Sequence, residues 1–278
     1  MTSHLYLITA ISNMHVGSGE MNFDIVDNQV QRDPITQLPV IHASSLKGAY
    51  REAAEATNPG ENYIRYIFGS SPKESDAHQP GAYAFFEATL LARPVRSSRY
   101  PYCMATSAGI LQTTLERIEQ LNVQIDEELR SGLESLLQQA KEVQSGTPLL
   151  LESAQDPVYI EDFETPVASS DTTPAEVLRD LLGGPIVLLS DEDFKALTLP
   201  VIARNYLEDG VSKNLWYEEV VPKNSKFLFL IGTPDHLDDS DEDNARRFDE
   251  RFGQMHTMHF GANKSIGYGF AKVRKVSL

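Results

Sequence analysis

The spacing of apolar residues changes period within the first 56 positions, and that change limits the fold. Residues 5–12, LYLITAIS, alternate apolar with polar, the pattern of a strand with one buried face. Residues 46–56 instead follow a helical period, with Ser44 or Ser45 as the expected N-cap. Residues 38–41, LPVI, form a short strand just before that helix. Farther on, strands and helices follow one another without the regular βαβ repetition of a doubly wound sheet. The pattern predicts an α+β fold, one domain over residues 1–278 carrying insertions.

Between the first strand and the helix lies the chemically dense part of the chain. His15-Val16-Gly17-Ser18-Gly19 reads as a turn, since glycine admits backbone angles that other residues resist. Residues 20–33 are polar and acidic, a long loop or short irregular strands, and hold Asp24 and Asp27. Free N–H groups at a helix start and the helix dipole favour an anion there. Lys47, in the expected first turn, is unfavourable beside the positive end of that dipole unless an anion sits opposite.

Net charge is −16, which by itself argues against nucleic-acid binding. The distribution of charge along the chain weakens that argument. Residues 152–193 carry a net −10 and residues 235–250 a net −6, so the remainder is neutral. Residues 251–278 hold five basic residues and no acid, and residues 93–104 hold Arg93, Arg96 and Arg99 and no acid. Basic faces are therefore compatible with the acidic total. A single cysteine, Cys103, excludes an internal disulfide framework and a cysteine-rich zinc site. No apolar run approaches the ~20 residues that span a bilayer, and MTSHLYL lacks a signal-peptide pattern, so a cytoplasmic chain without membrane contact is expected.

Residues 63–68 are a short apolar piece, and residues 82–91 alternate as a strand leading into a proline-stiffened turn, Arg93-Pro94-Val95-Arg96. Residues 102–106 are a further strand. Residues 109–145 show two amphipathic helices, the main part of a mostly helical insertion over 107–184 that ends in a helix at 172–182. Residues 199–221 read as two strands joined around Asp209-Gly210, either a projecting hairpin (198–221) or part of the core sheet. Arg204, Trp216, Tyr217 and Glu218 lie on its arms. Residues 226–231 are a central strand, residues 235–250 begin an acidic helix, and residues 269–276 close the chain as a strand. Before that strand, GANKSIGYG (261–269) has three glycines and Lys264 but lacks the Walker spacing. It is either a ligand-backbone loop involving Gly261, Asn263, Lys264, Gly267 and Gly269, or a glycine turn at a tight crossing. His256 and His259, three apart, lack the flanking pattern of a zinc site.

Taken together, HVGSG, IVDNQVQRDP, LPVIHASSLKGAYRE and GANKSIGYGF resemble the RAMP superfamily of CRISPR proteins. More narrowly, they are similar to the repeated backbone subunits of the type III-B (Cmr) effector complex. The resemblance covers residues 1–51, 82–105, 186–232 and 255–276. It implies a ferredoxin-like, RRM-related palm with a projecting hairpin as thumb. It further implies copies stacked in a helical array on guide crRNA with other RAMP subunits, and an aspartate in the first loop that cuts target RNA. The matching residue is Asp27, with Asp24 second. Guide binding falls to Ser44, Ser45, Lys47, Arg51, the 261–269 loop and Arg96; the thumb carries Arg204, Trp216 and Tyr217. RNA cleavage by in-line 2′-OH attack needs held geometry and a base or cation. Asp27 fits a proton acceptor or a loose ligand for Mg²⁺ or Mn²⁺; His15 and Glu218 are candidate partners. A non-cutting RNA scaffold, and a guide-processing endoribonuclease with His15 as base, remain open alternatives.

Overall fold

A computed structural model describes residues 1–21, 26–70, 79–152, 156–165 and 172–277. The chain opens with strand β1 (Thr2–Ala10), β2 (Gly17–Met21), β3 (Asn28–Val30) and β4 (Val40–Ile41), then helices α1 (Ala43–Glu55) and α2 (Glu61–Phe68). Next come β5 (Ala84–Phe85), β6 (Ala88–Val95), β7 (Cys103–Ser107), α3 (Ala108–Gln120) and α4 (Glu127–Lys141). The acidic middle holds β8 (Leu149–Leu150), β9 (Val158–Ile160), β10 (Phe163–Thr165), α5 (Thr173–Val177), α6 (Arg179–Leu182), β11 (Ile186–Leu189) and α7 (Asp191–Ala196). A hairpin, β12 (Val201–Glu208) and β13 (Val211–Glu219), leads to β14 (Lys226–Thr233), α8 (Asp239–Phe252), β15 (His256–His259) and β16 (Phe270–Lys275). The fold is mixed α+β, and no helix among the described residues is long and apolar enough to cross a membrane.

The main sheet runs β15-β16-β1-β14-β6-β7-β11-β8, with β4 beside β6 and β5 beside β14. Its neighbours are antiparallel except β7 and β11. Strand β1 lies at its centre and is buried on both faces: Leu5, Tyr6, Leu7 and Ile8 are all at most 3% exposed. Alternation predicted one wet face. Instead, Tyr6 stacks on Phe229 at 5.2 Å beneath Tyr50 of α1, while Leu5 on the other face shares a small void with Ile118 of α3. Helices cover both sides, so polarity alternates without exposure. Tyr50, Phe229, Phe248 and Phe252 bind α1 and α8 to the sheet, with centroids 4.9–6.3 Å apart. Such pairs add about 0.5–1.5 kcal/mol each beyond burial.

Several local expectations shift. Residues 61–68 form helix α2, burying Tyr63, Ile64, Ile67 and Phe68 on one stripe. Arg93, Pro94 and Val95 belong to β6 and not to a turn; the Arg93 side chain bonds the Leu197 and Thr198 carbonyls. The glycine segment after His15 enters β2 directly. The helix expected at 172–182 divides at Leu178 into α5 and α6, which buries Leu178, Leu181 and Leu182. The two amphipathic helices form as their period required, and Asp126 caps α4 by accepting from Glu128 N–H and Leu129 N–H.

The β12–β13 hairpin belongs to a separate four-stranded sheet, β12-β13-β3-β2. Asp209 and Gly210 at its tip have φ of 52° and 77°, the positive pair that a tight hairpin with Asp-Gly adopts. Most of the hairpin is exposed on both faces, including Tyr206, Leu207, Val211 and Leu215. It becomes buried only at its base, where Glu218, Glu219 and Val220 enter the core.

Candidate nucleic-acid interface

Asp27 stands just ahead of β3, half-buried, where β3 meets β13 at the pair Asn28–Glu218. Its Oδ2 accepts the Tyr217 backbone N–H at 2.7 Å. Its other oxygen has no partner among the described residues. The expected carboxylate is thus oriented by the hairpin strand while remaining at the surface. Asp24, the second choice, lies outside the described residues.

Behind Asp27 the hairpin base is fastened by two glutamates. Glu218 is 4% exposed; its Oε1 accepts Asn263 Nδ2 at 2.8 Å, and its Oε2 takes the Arg204 Nε–H. The Arg204 guanidinium in turn lies 4.5 Å over the Tyr268 ring. Glu219 accepts Val30 N–H at 3.2 Å and binds the Arg32 guanidinium. His15 Nδ1 is 2.7 Å from the Glu219 carbonyl, which can only accept, so Nδ1 carries the proton. Its Nε2 faces Glu218 at 3.7 Å, beyond hydrogen-bond range.

His15 and Glu218 are therefore both buried at the hairpin base, 6% and 4% exposed, and held there by these contacts. Arg204, on the facing arm of the hairpin, is held by Glu218 and Tyr268. Trp216 shares the face of Arg204, its register partner, and is half-buried. Tyr217 points to the opposite face and is 39% exposed. Of these two hairpin rings, that of Tyr217 is the more exposed.

Helix α1 starts at Ala43, three residues before the expected position. The N-cap is His42, whose carbonyl accepts Leu46 N–H at 3.0 Å, so Ser44 and Ser45 fall inside the first turn and are not caps. The cause is Gln31, a residue that the sequence did not single out. Gln31 Oε1 accepts His42 N–H at 2.8 Å, and its Nε2 donates to Ser45 Oγ at 3.0 Å and to the Gly17 carbonyl at 3.2 Å. One amide thereby ties β2, β3 and α1 together. All three partners lie 11 or 14 positions away, so no local pattern reveals it. Ser44 is exposed and Lys47 half-buried on the second turn. Burial first, then the nearby Arg51, pushes the Lys47 amine below its ordinary pKa. Among the described residues no carboxylate pairs with Lys47. Arg51 is already engaged, by Glu55 at 2.9 Å and the Ser70 carbonyl at 3.3 Å.

The C-terminal loop meets this region through Asn263, already noted, and through Lys264, whose Nζ is 3.5 Å from Glu52 of α1. Two of its glycines serve the fold. A Cβ at Gly261 would sit 2.2 Å from the His15 carbonyl, and one at Gly269 would sit 2.2 Å from the Phe260 carbonyl. Gly267, with φ of 84°, faces open space. Backbone approach by a ligand is therefore available at Gly267 but blocked at Gly261 and Gly269. Arg96 is not brought here: it binds Glu161 at 2.6 Å and Asp162 at 3.8 Å beside β9. The described residues contain no cluster of three His, Cys, Asp or Glu suited to a metal ion.

Contacts thus place Asp27, the exposed hairpin, the start of α1 and the loop carrying Lys264 and Gly267 around one end of the main sheet. A family model described as the RAMP superfamily matches residues 7–272, and the chain belongs to that superfamily. Within it, the chain is 27% identical to a Pyrococcus furiosus protein named CRISPR system Cmr endoribonuclease Cmr4, over 98% of this chain and 95% of that one. The fold is similar to a chain in a cryo-EM structure of the type III-B Cmr-β complex bound to cognate target RNA. There the TM-score is 0.79 and the identity 22%, covering 99% and 98% of the two chains. It is also similar to oligomeric Cmr4 from Pyrococcus furiosus, with a TM-score of 0.70 and 20% identity, covering 100% and 99%.

Proposed function

We propose that this chain is a repeated backbone subunit of a type III-B CRISPR effector that holds guide RNA and cuts complementary target RNA. The observation that carries this is the position of Asp27: a surface carboxylate fixed by the Tyr217 amide at the root of an exposed hairpin. Full-length similarity to a protein named as an endoribonuclease supports the same reading.

The strand order β16-β1-β14-β6 with α1 and α8 on one face supports a ferredoxin-like palm for a single domain over residues 1–278. The hairpin within 198–221 would be its thumb, and residues 107–184 its mostly helical insertion. Guide contacts would use the start of α1 at Ser44, Ser45 and Lys47, together with Lys264 and Gly267. Such contacts read phosphate and backbone shape, not base sequence. Replacing Lys47 by alanine is expected to weaken guide binding and reduce its salt slope by about one unit. An unchanged slope in a salt titration would mean that Lys47 touches no phosphate.

In cleavage, the thumb would unstack the paired strand, with Tyr217 and apolar tip residues as the wedge. The strand forced out of helical geometry can bring a 2′-OH in line with its own phosphate. Asp27 would take the 2′-OH proton through the oxygen that Tyr217 leaves free, as O2′ bonds to phosphorus and the P–O5′ bond breaks, the 5′ oxygen leaving with a proton from water to give a 2′,3′-cyclic phosphate. A divalent cation, Mg²⁺ or Mn²⁺, would supply charge neutralisation at the phosphate when bound. One carboxylate fits a hydrated ion shared with the RNA and not a chelated one.

Stacked copies, each with its own Asp27, should cut at regular intervals. The test is end-labelled complementary RNA incubated with the assembled complex and Mg²⁺ or Mn²⁺. An evenly spaced product ladder is expected. Intact RNA would favour a non-cutting scaffold, and a single product would overturn repeated cutting by this subunit.

A further inference from the structure

The face of the main sheet turned away from α1 and α8 carries a group of cations that the guide and cleavage sites do not use. In register, Thr9 of β1 pairs with Lys226 of β14 on one side and with Lys272 of β16 on the other. Cross-strand partners point to the same face, so these three side chains share it. Leu7, two positions back on β1 and on the same face, pairs with Arg274. Tyr6 and Phe229 belong to the opposite face, under α1 and α8. On this face Thr114, Arg117 and Ile118 of α3 share a small void with Leu5, Leu228 and Leu230.

Lys226 Nζ donates to Thr9 Oγ1 at 3.0 Å, and Arg274 Nη2 donates to the Asp180 carbonyl at 3.1 Å. Lys272 is exposed. Among the described residues no carboxylate forms an ion pair with any of the three. The nearest element is α6 with the turn after it, where Arg179 is paired with Glu152 at 3.4 Å and the Asp180 side chain is exposed. Gly183, in the left-handed region at φ 76°, lies against the Lys226 side chain: a Cβ there would be 3.5 Å from Nζ, an ordinary contact. Burial, then Arg274 and Lys272, pushes the Lys226 amine down to about 8. In a chain of net charge −16, three cations left together without an acid are unfavourable until an anion joins them.

We infer that Thr9, Lys226, Lys272 and Arg274 form a second phosphate-binding site, on the sheet face opposite α1, that takes the backbone of an RNA strand. The ammonium groups act as point charges, the guanidinium as a forked donor and the Thr9 hydroxyl as a neutral one. The row crosses three strands, about 10 Å at the usual strand spacing. That width suits an extended polyanion better than one compact anion. The choice of RNA as the source of phosphate rests on the proposed function; the site itself rests on the strand register.

The test uses the full chain and a single-stranded RNA oligonucleotide, with affinity measured across a salt series. Three lost phosphate contacts lower the slope by about two units for a single strand. K226Q/K272Q/R274Q should show that drop, and the charge-preserving K226R/K272R should keep the parental slope. If the triple variant does not fold, K272Q/R274Q should still lower the slope by about 1.4 units. A parental slope in the glutamine variants, alongside a lowered slope in K47A/K264A, would overturn the second site and leave the guide site standing. Parental slopes in both sets would overturn both sites and place the phosphate contacts elsewhere on the chain. A second arm follows lysine side-chain resonances through a pH titration. The Lys226 titration should move up with RNA and stay in place with inorganic phosphate; a response to phosphate alone would overturn RNA as the ligand.

Discussion

Asp27→Ala in the assembled complex is expected to abolish target cutting while guide binding and stacking persist. The loss should be at least the 10²–10⁴-fold typical of removing a positioned general acid or base. The structural cost should be small. Asp27 is half-buried, and its one hydrogen bond among the described residues is to Tyr217 N–H, so its removal costs about 1 kcal/mol. Asp27→Asn separates chemistry from positioning. An amide oxygen still accepts the Tyr217 N–H, but it neither takes a proton nor holds a cation well. Both variants should therefore fail to cut labelled RNA, with Asp27→Asn keeping the thermal stability of the parent. Full-rate cutting by either would remove Asp27 from the mechanism.

How far the sequence could be read depended on the separation between partners. The hairpin was legible because its signal is local: Val, Ile, Tyr and Trp arms around Asp209-Gly210. The α3 and α4 stripes were legible for the same reason. The start of α1 was misplaced because its cap is supplied from Gln31, 11 positions earlier, and not by a neighbouring serine. The burial of Glu218 and His15 was not legible, since an acid and a histidine beside a motif carry no mark of it. Their partners are too distant for that: Arg204 is 14 positions from Glu218, Asn263 is 45, and Glu219 is 204 from His15. The glycines at 261 and 269 posed the same difficulty. A close backbone crossing and an open ligand loop demand the same residue, and only the neighbouring carbonyls distinguish them. The cations at 226, 272 and 274 gave no motif because strand register, not spacing, assembles them.

The buried pair at the hairpin root gives the second large effect. Glu218→Ala leaves the Arg204 charge in a site where its Nη2 already lacks a hydrogen-bond partner among the described residues, and strands Asn263 as well. Breaking one side of a buried ion pair costs about 3–5 kcal/mol. At roughly 2–4 °C per kcal/mol for a domain near this size, Tm should fall by about 6–20 °C. Replacing both partners, as in Arg204→Leu with Glu218→Leu, removes the orphaned charge and should recover most of that loss. Cutting should not recover with it. Glu218 adjoins Tyr217, whose amide orients Asp27, and without the Asn263 and Arg204 contacts that amide is no longer held against the C-terminal loop. Stability restored with cutting still impaired would make the buried pair a positioning device for Asp27. If the double variant regains both, the pair serves only the fold. If Glu218→Ala leaves Tm unchanged, the buried contact itself is absent in solution.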